Sequence, residues 1–305
     1  MKFTVEYPIE RGAGYSPEFL RPDVLAAFAR TAEEAGFDAL AFSEHPAPSR
    51  KWTEAGGHDT FDPLAALAFC AAVTSRIRLM PHLLVLPYHN PPQLAKTLAT
   101  VDVLSAGRLT VAAGTGYLRS EFAAVGVDFE QRNTLFDEAV AALHAAWSGE
   151  PYRFEGTGFL AVDQVLRPRP VQQPGPPLWL GGNSPLTRRR IVRYGQGWSP
   201  ILTTGRHAAS FRTPSIDSLE ELAAAVDELG ARFREAGRAP AELDVQVEAP
   251  VPADEVADPA AHLDELGRYA KAGVTSVVVH SPTGSGAAAL DALRSYGAQV
   301  IAACR

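Results

Sequence analysis

The chain has 305 residues, a formal charge of −7, and 46% hydrophobic against 21% charged residues. That balance buries a real core and excludes a disordered chain, and the acidic excess argues against a general nucleic-acid surface, though a local basic patch could still hold an anion. Two cysteines, Cys70 and Cys304, exclude a disulfide framework and a cysteine-rich metal site and suit a reduced, cytoplasmic setting.

The length fits one large α/β barrel or two ordinary domains. The opening "MKFTVEYPIE" places Glu6 and Pro8 where a signal peptide would need an apolar run. No segment approaches ~20 uninterrupted apolar residues, so no membrane span is expected.

Strand-like and helix-like patterns alternate along the chain. Phe3 to Tyr7 reads as a first strand. Asp23 to Ala35 carries Val24, Leu25, Phe28, Ala32 and Ala35 at helical spacing, with Gly36 as a stop. Asp38 to Ser43 is a second strand, and Asp62 can cap the helix of "FDPLAALAFCAAV" with Pro63 in its first turn. "IRLMPHLLVLP" is a third strand, Pro91 to Leu104 a helix, and Leu109 to Gly114 a fourth strand. After the helix Gln131 to Trp147, "EPYRFEGTGFLAVDQV" alternates around Glu155-Gly156 and predicts a β-hairpin insertion at about 150–166. "PPLWLGG" is the fifth strand, followed by a helix from Ser184 to Tyr194. "GWSPIL", "LDVQVEA" and "VTSVVVHS" are the sixth to eighth, joined by helices Ser218 to Ala236 and Pro259 to Ala272, and a helix from Ala287 to Cys304 closes the chain.

A strand–helix unit counted eight times predicts a (β/α)8 TIM barrel, here one α/β domain over 1–305 with the hairpin inserted after strand four and its helices. "EEAGFDALAFS" and "AKAGVTSVVVHS" echo each other, each ending a helix at Ala-Gly and starting a strand. A doubly wound sheet is the alternative. It lacks a Gly-x-Gly-x-x-Gly turn after strand one and a composition shift that would mark a second domain.

In such barrels the active site lies at the C-terminal strand ends. There stand Ser43-Glu44-His45-Pro46, Pro81-His82, His89-Asn90, Gly114-Thr115-Gly116-Tyr117, Gly181-Gly182-Asn183-Ser184, Trp198 and His280-Ser281. Each of His45, His82, His89 and His280 alone reads as readily as a satisfied structural residue, and their shared end of the barrel is what singles them out. No His-x-His pair supports a catalytic metal, and no Gly-x-Ser-x-Gly elbow supplies a nucleophile. The two glycine turns, with a helix N-terminus opening at Ser184, favour an anionic cofactor. The arginines Arg188 to Arg190 read equally well as a solvated helix face.

Three blocks carry a resemblance: "EEAGFDALAFSEHP", "RIRLMPHLLVLPYHNPPQLAKTLATVDVLSAGRLTVAAGTGYLRSEFAAVGVDFEQR" and "PPLWLGGNSPLTRRRIVRYGQGWSP". They span about 33–200 and resemble the bacterial luciferase-like monooxygenase superfamily, within it the oxidoreductases that use the deazaflavin coenzyme F420. The resemblance implies a cofactor ring over the third strand, backed by a non-prolyl cis peptide that falls at His82-Leu83. It also implies that Glu44 and His45 lie at the reactive edge, that Gly114, Thr115, Gly116 and Tyr117 contact the cofactor, and that Gly181, Gly182 and Asn183 lie near its phosphate. Sugar-phosphate dehydrogenases of this family place a Glu directly after the Gly-Thr-Gly turn, where this chain has Tyr117. The expectation is therefore hydride transfer from reduced F420 to an activated C=C or C=N bond, with His45, Glu44 and Tyr117 as the catalytic set. Trp52 and His58, on the 49–59 loop, and Trp198 are the expected substrate contacts. FMN with monooxygenation is the alternative cofactor and chemistry. The expected partners are a small-molecule substrate and a second copy of the chain, with no nucleic acid and no membrane.

Overall fold

The computed structural model describes residues 1–10, 14–203 and 205–305. The first half runs β1 (Lys2–Glu6), α1 (Pro22–Glu34), β2 (Ala39–Phe42), α2 (Arg50–Glu54), α3 (Pro63–Val73), β3 (Arg78–Pro81), β4 (Leu84–Val85), α4 (Pro91–Leu104), β5 (Val111–Gly114), α5 (Arg119–Ala124) and α6 (Arg132–Trp147). The hairpin β6 (Tyr152–Gly156) and β7 (Phe159–Gln164) interrupts. Then come β8 (Leu178–Gly181), α7 (Pro185–Tyr194), β9 (Gly197–Ser199), α8 (Gly205–Ser210), α9 (Leu219–Glu235), β10 (Asp244–Glu248), α10 (Pro259–Lys271), β11 (Ser276–Val279) and α11 (Gly286–Tyr296).

The strands form a parallel sheet in the order β3-β2-β1-β11-β10-β9-β8-β5-β4. It closes where Leu79 of β3 bridges Leu109, with Leu79 N donating to Arg108 O at 3.0 Å and Thr110 N to Leu79 O at 2.9 Å. The predicted third strand is thus one stave in two pieces, β3 pairing with β2 and β4 with β5. The result is an eight-staved (β/α)8 barrel. Between the two pieces the His82-Leu83 peptide is cis, at the position the resemblance implied.

Period-two alternation decides what faces inward. On β1, Phe3, Val5 and Tyr7 point to the helices and are buried, while Thr4 and Glu6 face the barrel axis, Thr4 Oγ1 donating to Gln246 Oε1 at 3.0 Å. Each fully buried outward Phe or Val contributes ~1.5–3 kcal/mol of transfer free energy, which fixes the register of the stave. Residue pairs such as Glu6 with Ala41, Phe42 with Pro81 and Gly181 with Ser199 then bring the strand ends to one level.

The expected caps are present. Asp62 accepts from Ala65 N at 2.8 Å and Ser184 from Thr187 N at 3.1 Å. Gly36 and Gly273, the two echoed stops, both have left-handed φ, +91° and +90°. The predicted closing helix is not continuous: α11 ends at Tyr296 and a π turn covers Gly297–Ile301. Among the described residues no helix is long and apolar enough to cross a membrane.

Candidate active site

Two clusters occupy the C-terminal mouth. The floor is made of inward positions at strand ends. His82, just after β3, holds Ser199 Oγ of β9 at 3.0 Å through Nε2, and its Nδ1 lies 3.6 Å from Glu6 Oε1 of β1. The other Glu6 oxygen lies 3.4 Å from His280 Nδ1, after β11, and His280 Nε2 is 2.7 Å from Glu248 Oε2 at the end of β10. Five staves thus contribute to one chain of hydrogen bonds and charge contacts that runs through Glu6. Burial alone would raise the Glu6 carboxyl. The adjacent His82 ring and the charges of His280 and His58 outweigh it and hold Glu6 below its ordinary value. Beside this chain Leu83 stands on an apolar base of Ala41, Met80, Ala112 and Trp179.

Glu10, just beyond β1, shows the opposite electrostatics. It accepts from Ser43 N at 2.5 Å and Thr60 Oγ1 at 2.9 Å, yet burial first and the neighbouring Glu6 charge second push its carboxyl well above the usual range. The two adjacent buried carboxyls are thus pushed apart, Glu6 toward the ionised form and Glu10 toward the neutral one.

The second cluster is an aromatic rim. His45 Nδ1 lies 3.1 Å from Glu121 Oε2, on α5. That carboxylate is buried and also accepts from Ala47 N at 3.3 Å and Tyr88 Oη at 3.2 Å. The His45 ring packs against Trp52 at 4.3 Å between centroids, His58 at 5.1 Å and Tyr117 at 6.1 Å, and Phe211 lies 5.4 Å from Tyr117. Ser49 caps α2, the short helix that presents Trp52. Burial pushes Tyr117 up to about 12, against the nearby Trp52 indole, which acts to lower the phenol. Burial likewise lowers His58 below its ordinary value, favouring the neutral ring.

The structure therefore brings His45, Tyr117, Trp52 and His58 together and places His82 and Leu83 in the floor. Three expectations are corrected. Glu44 is buried and committed: Oε2 accepts from Val85 N at 2.6 Å and Oε1 meets His89 Nε2 at 2.7 Å, so it braces β4 while its neighbour His45 faces the rim. Trp198 is 0% exposed, points into the core packed outside the staves while its neighbour Ser199 faces inward, and donates Nε1 to Gly182 O at 2.9 Å. The Asn183 amide is spent on backbone, donating to Ile201 O and Pro214 O at 2.8 Å and accepting from Ile201 N at 2.9 Å, so it clips the following loop in place.

The glycine turns also acquire a local reason. A Cβ on Gly181 would fall 2.1 Å from Leu83 Cδ1, and one on Gly114 3.2 Å from the same atom, so both glycines make room for Leu83. Gly116 lies against Val85 and Phe122, Thr115 is half-buried on the same turn, and Gly182 faces the Thr187 and Thr213 hydroxyls. Residues not singled out from sequence are Glu6, Glu10, Glu121, Ser199 and Glu248. Lys2/Thr4/Glu6 and Asp244/Gln246/Glu248, polar at every second strand position, were the available signal for two of them.

With this geometry in view, comparison with known proteins is informative. The chain matches the luciferase-like monooxygenase family over residues 1–296 and belongs to it. It is 30% identical to the F420-dependent glucose-6-phosphate dehydrogenase of Beutenbergia cavernae, over 90% of this chain and 92% of that protein. Monooxygenase RslO1 from Streptomyces bottropensis shares the fold with a TM-score of 0.78 at 21% identity, covering 100% of both chains. The coenzyme F420 dependent tetrahydromethanopterin reductase of Methanopyrus kandleri does so with a TM-score of 0.75 at 18% identity, covering 100% of this chain and 99% of that one.

Proposed function

We propose that the protein is an F420H2-dependent reductase that transfers a hydride to an activated C=C or C=N bond of a small organic substrate or natural-product intermediate. The observation that carries this reading is His45, held through Nδ1 by buried Glu121 and packed among the rings of Trp52, His58 and Tyr117. The 30% identity to an F420-dependent dehydrogenase supports the choice of cofactor.

The donor set suits a flat heteroaromatic ring, which needs an apolar face and hydrogen-bonding groups at its edge. Leu83 on its apolar base would lie beneath the ring. His82, Ser199 and the turns at 114–116 and 181–182 would hold it. When bound, the reduced deazaflavin supplies the hydride. Glu121 occupies His45 Nδ1, which fixes the ring and leaves Nε2 as the nitrogen for the substrate. His45 Nε2 is the proton donor to the atom adjacent to the one that gains the hydride, so the double bond receives both hydrogens. Tyr117, whose ring packs edge-on to His45, orients the substrate through its hydroxyl as a hydrogen-bond donor. Trp52, His58 and Tyr117 pack around the His45 ring and shield it from water. Tyr117 in place of the expected Glu, together with the aromatic lining, favours an unsaturated substrate over a sugar phosphate.

Reconstitution with F420 and with FMN tests the reading. Deuteride transfer from specifically labelled F420H2 to an enone or imine substrate is the expected result. Turnover only with reduced FMN and oxygen would replace it with monooxygenation.

A further inference from the structure

Among the described residues arginine packs on a phenyl ring at three places, and one of the three is unlike the others. Over Phe136 lies Arg190 alone, with Nε 2.7 Å from Asp137 Oδ1 and Nη2 2.9 Å from Oδ2. Over Phe233 lies Arg238 alone, 3.4 Å from Glu242. Each of those rings carries one cation and each cation has its own carboxylate. Phe129 instead gathers three guanidinium groups, with Arg119, Arg132 and Arg212 at 4.2, 4.0 and 5.2 Å from its centroid.

They arrive from separate places: Arg119 from α5, Arg132 from the start of α6, and Arg212 from the segment after α8. Among the described residues one carboxylate, Glu130, lies within ion-pair distance of them, 2.6 Å from Arg119 and 3.9 Å from Arg132. Three cations against one anion leave a surplus of positive charge on a chain whose net charge is −7. Burial, and after it the charges of Arg212 and Arg119, lower Arg132 from its ordinary value against the pull of Glu130. Covering one phenyl ring does not need three like charges, and gathering them costs repulsion that an anion would relieve. The cluster also adjoins the site. Arg212 Nε donates to the Tyr117 backbone carbonyl at 3.2 Å, on the turn that ends β5. The rim chamber beyond that turn is aromatic and holds no arginine or lysine among the residues described above.

We propose that Arg119, Arg132 and Arg212 form a polyanion site that receives the phosphate- and carboxylate-bearing tail of the deazaflavin, outside the chamber that takes the substrate. This rests on the cofactor reading above. An acidic substrate would offer the same phosphate or carboxylate chemistry, and the experiment separates the two sources. Guanidinium forks suit both groups, and several together select a multiply charged tail over a single phosphate.

The test is equilibrium binding of F420 and of its tail-less riboflavin-level analogue to the apo protein by fluorescence, at low and moderate salt. The proteins compared are wild type, the R119Q/R212Q double variant, R132Q, and R153Q on the exposed hairpin as a charge control. We expect R119Q/R212Q to weaken F420 by about tenfold or more and the analogue by less than about twofold, with a flatter salt dependence, and R153Q to behave as wild type. R132Q, the least exposed of the three, should follow the same pattern, and retained binding of the analogue shows that the variants are folded. Equal weakening of both ligands, or an unchanged F420 affinity, overturns the proposal. An unchanged F420 affinity with a raised KM for an acidic substrate assigns the cluster to the substrate instead. A wild-type protein that binds neither deazaflavin but binds FMN overturns the cofactor reading itself, and the tail site with it.

Discussion

The floor and the rim of the barrel mouth are both built on histidine–carboxylate contacts, but the chain constructs them differently. In the floor, His82, Glu6, His280, Glu248 and Ser199 sit at inward positions of five staves, and their relative places are set by sheet register. In the rim, His45, Trp52, His58, Tyr117 and Phe211 sit on loops and short helices, joined mostly by ring contacts. Register is rigid and loops are adjustable, so the floor suits an invariant ring and the rim a particular substrate. If that division is right, changes in the two clusters should have separable effects.

The largest effect is expected at His45. Replacing it with Ala should lower kcat by about 100- to 1,000-fold, the range of a lost general acid, while cofactor affinity stays within about threefold. Stopped-flow reduction alongside equilibrium cofactor binding checks both halves. A parallel loss of cofactor affinity would mean that rim and floor are one functional unit. Next in size is Glu6→Gln. It removes the charge that His82 and His280 share and should cost about 1–3 kcal/mol of unfolding free energy at neutral pH. Because Glu6 is held below its ordinary value, its contribution is present above the unfolded pKa of 4.5 and fades as pH falls through the folded one. Urea titrations at several pH values should show that cost shrinking in acid.

A smaller effect is expected at Tyr117. Tyr117→Phe keeps the ring contacts with His45 and Phe211 and deletes only the hydroxyl. We expect KM to rise by about three- to tenfold with little change in kcat, since a lost substrate hydrogen bond is uniform binding. A kcat loss matching that of His45→Ala would instead make Tyr117 the proton donor.

The two clusters also differ in how far the sequence revealed them. The eightfold rhythm rests on periodicity, and the staves and their order follow from it. The floor was legible in principle from the same signal: "KFTVEY" alternates Lys2, Thr4 and Glu6 with Phe3, Val5 and Tyr7, and an inward polar residue at a strand end belongs to the mouth. The parity that reveals Glu6 also turns Trp198 away, because Gly197 and Ser199 take the inward positions of β9. The rim is different. Glu121 meets His45 across 76 residues of sequence through the path of a loop, and no spacing rule announces such a contact. Glu44 misled for the same reason, since its partners Val85 and His89 are set by the break in the third stave.

Glu10 tests the seam between the clusters. It follows β1 yet binds Ser43 at the end of β2 and Thr60 in the rim loop. Its carboxyl is held well above its ordinary value by burial and by Glu6, so the sign of its pH dependence is opposite to that of Glu6. Its contribution is fully present below the unfolded pKa of 4.5 and is lost as pH rises through the folded one. Glu10→Gln keeps a neutral side chain and abolishes that loss. The variant should match or fall slightly below wild type near pH 4 and gain on it as pH rises, by about 1.4 kcal/mol for each pH unit between the unfolded and folded pKa values. Thermal unfolding at matched ionic strength gives the readout. A variant that is less stable than wild type at every pH above 5 would mean that Ser43 N and Thr60 hold an ionised carboxylate. The two adjacent acids of the mouth would then both carry charge.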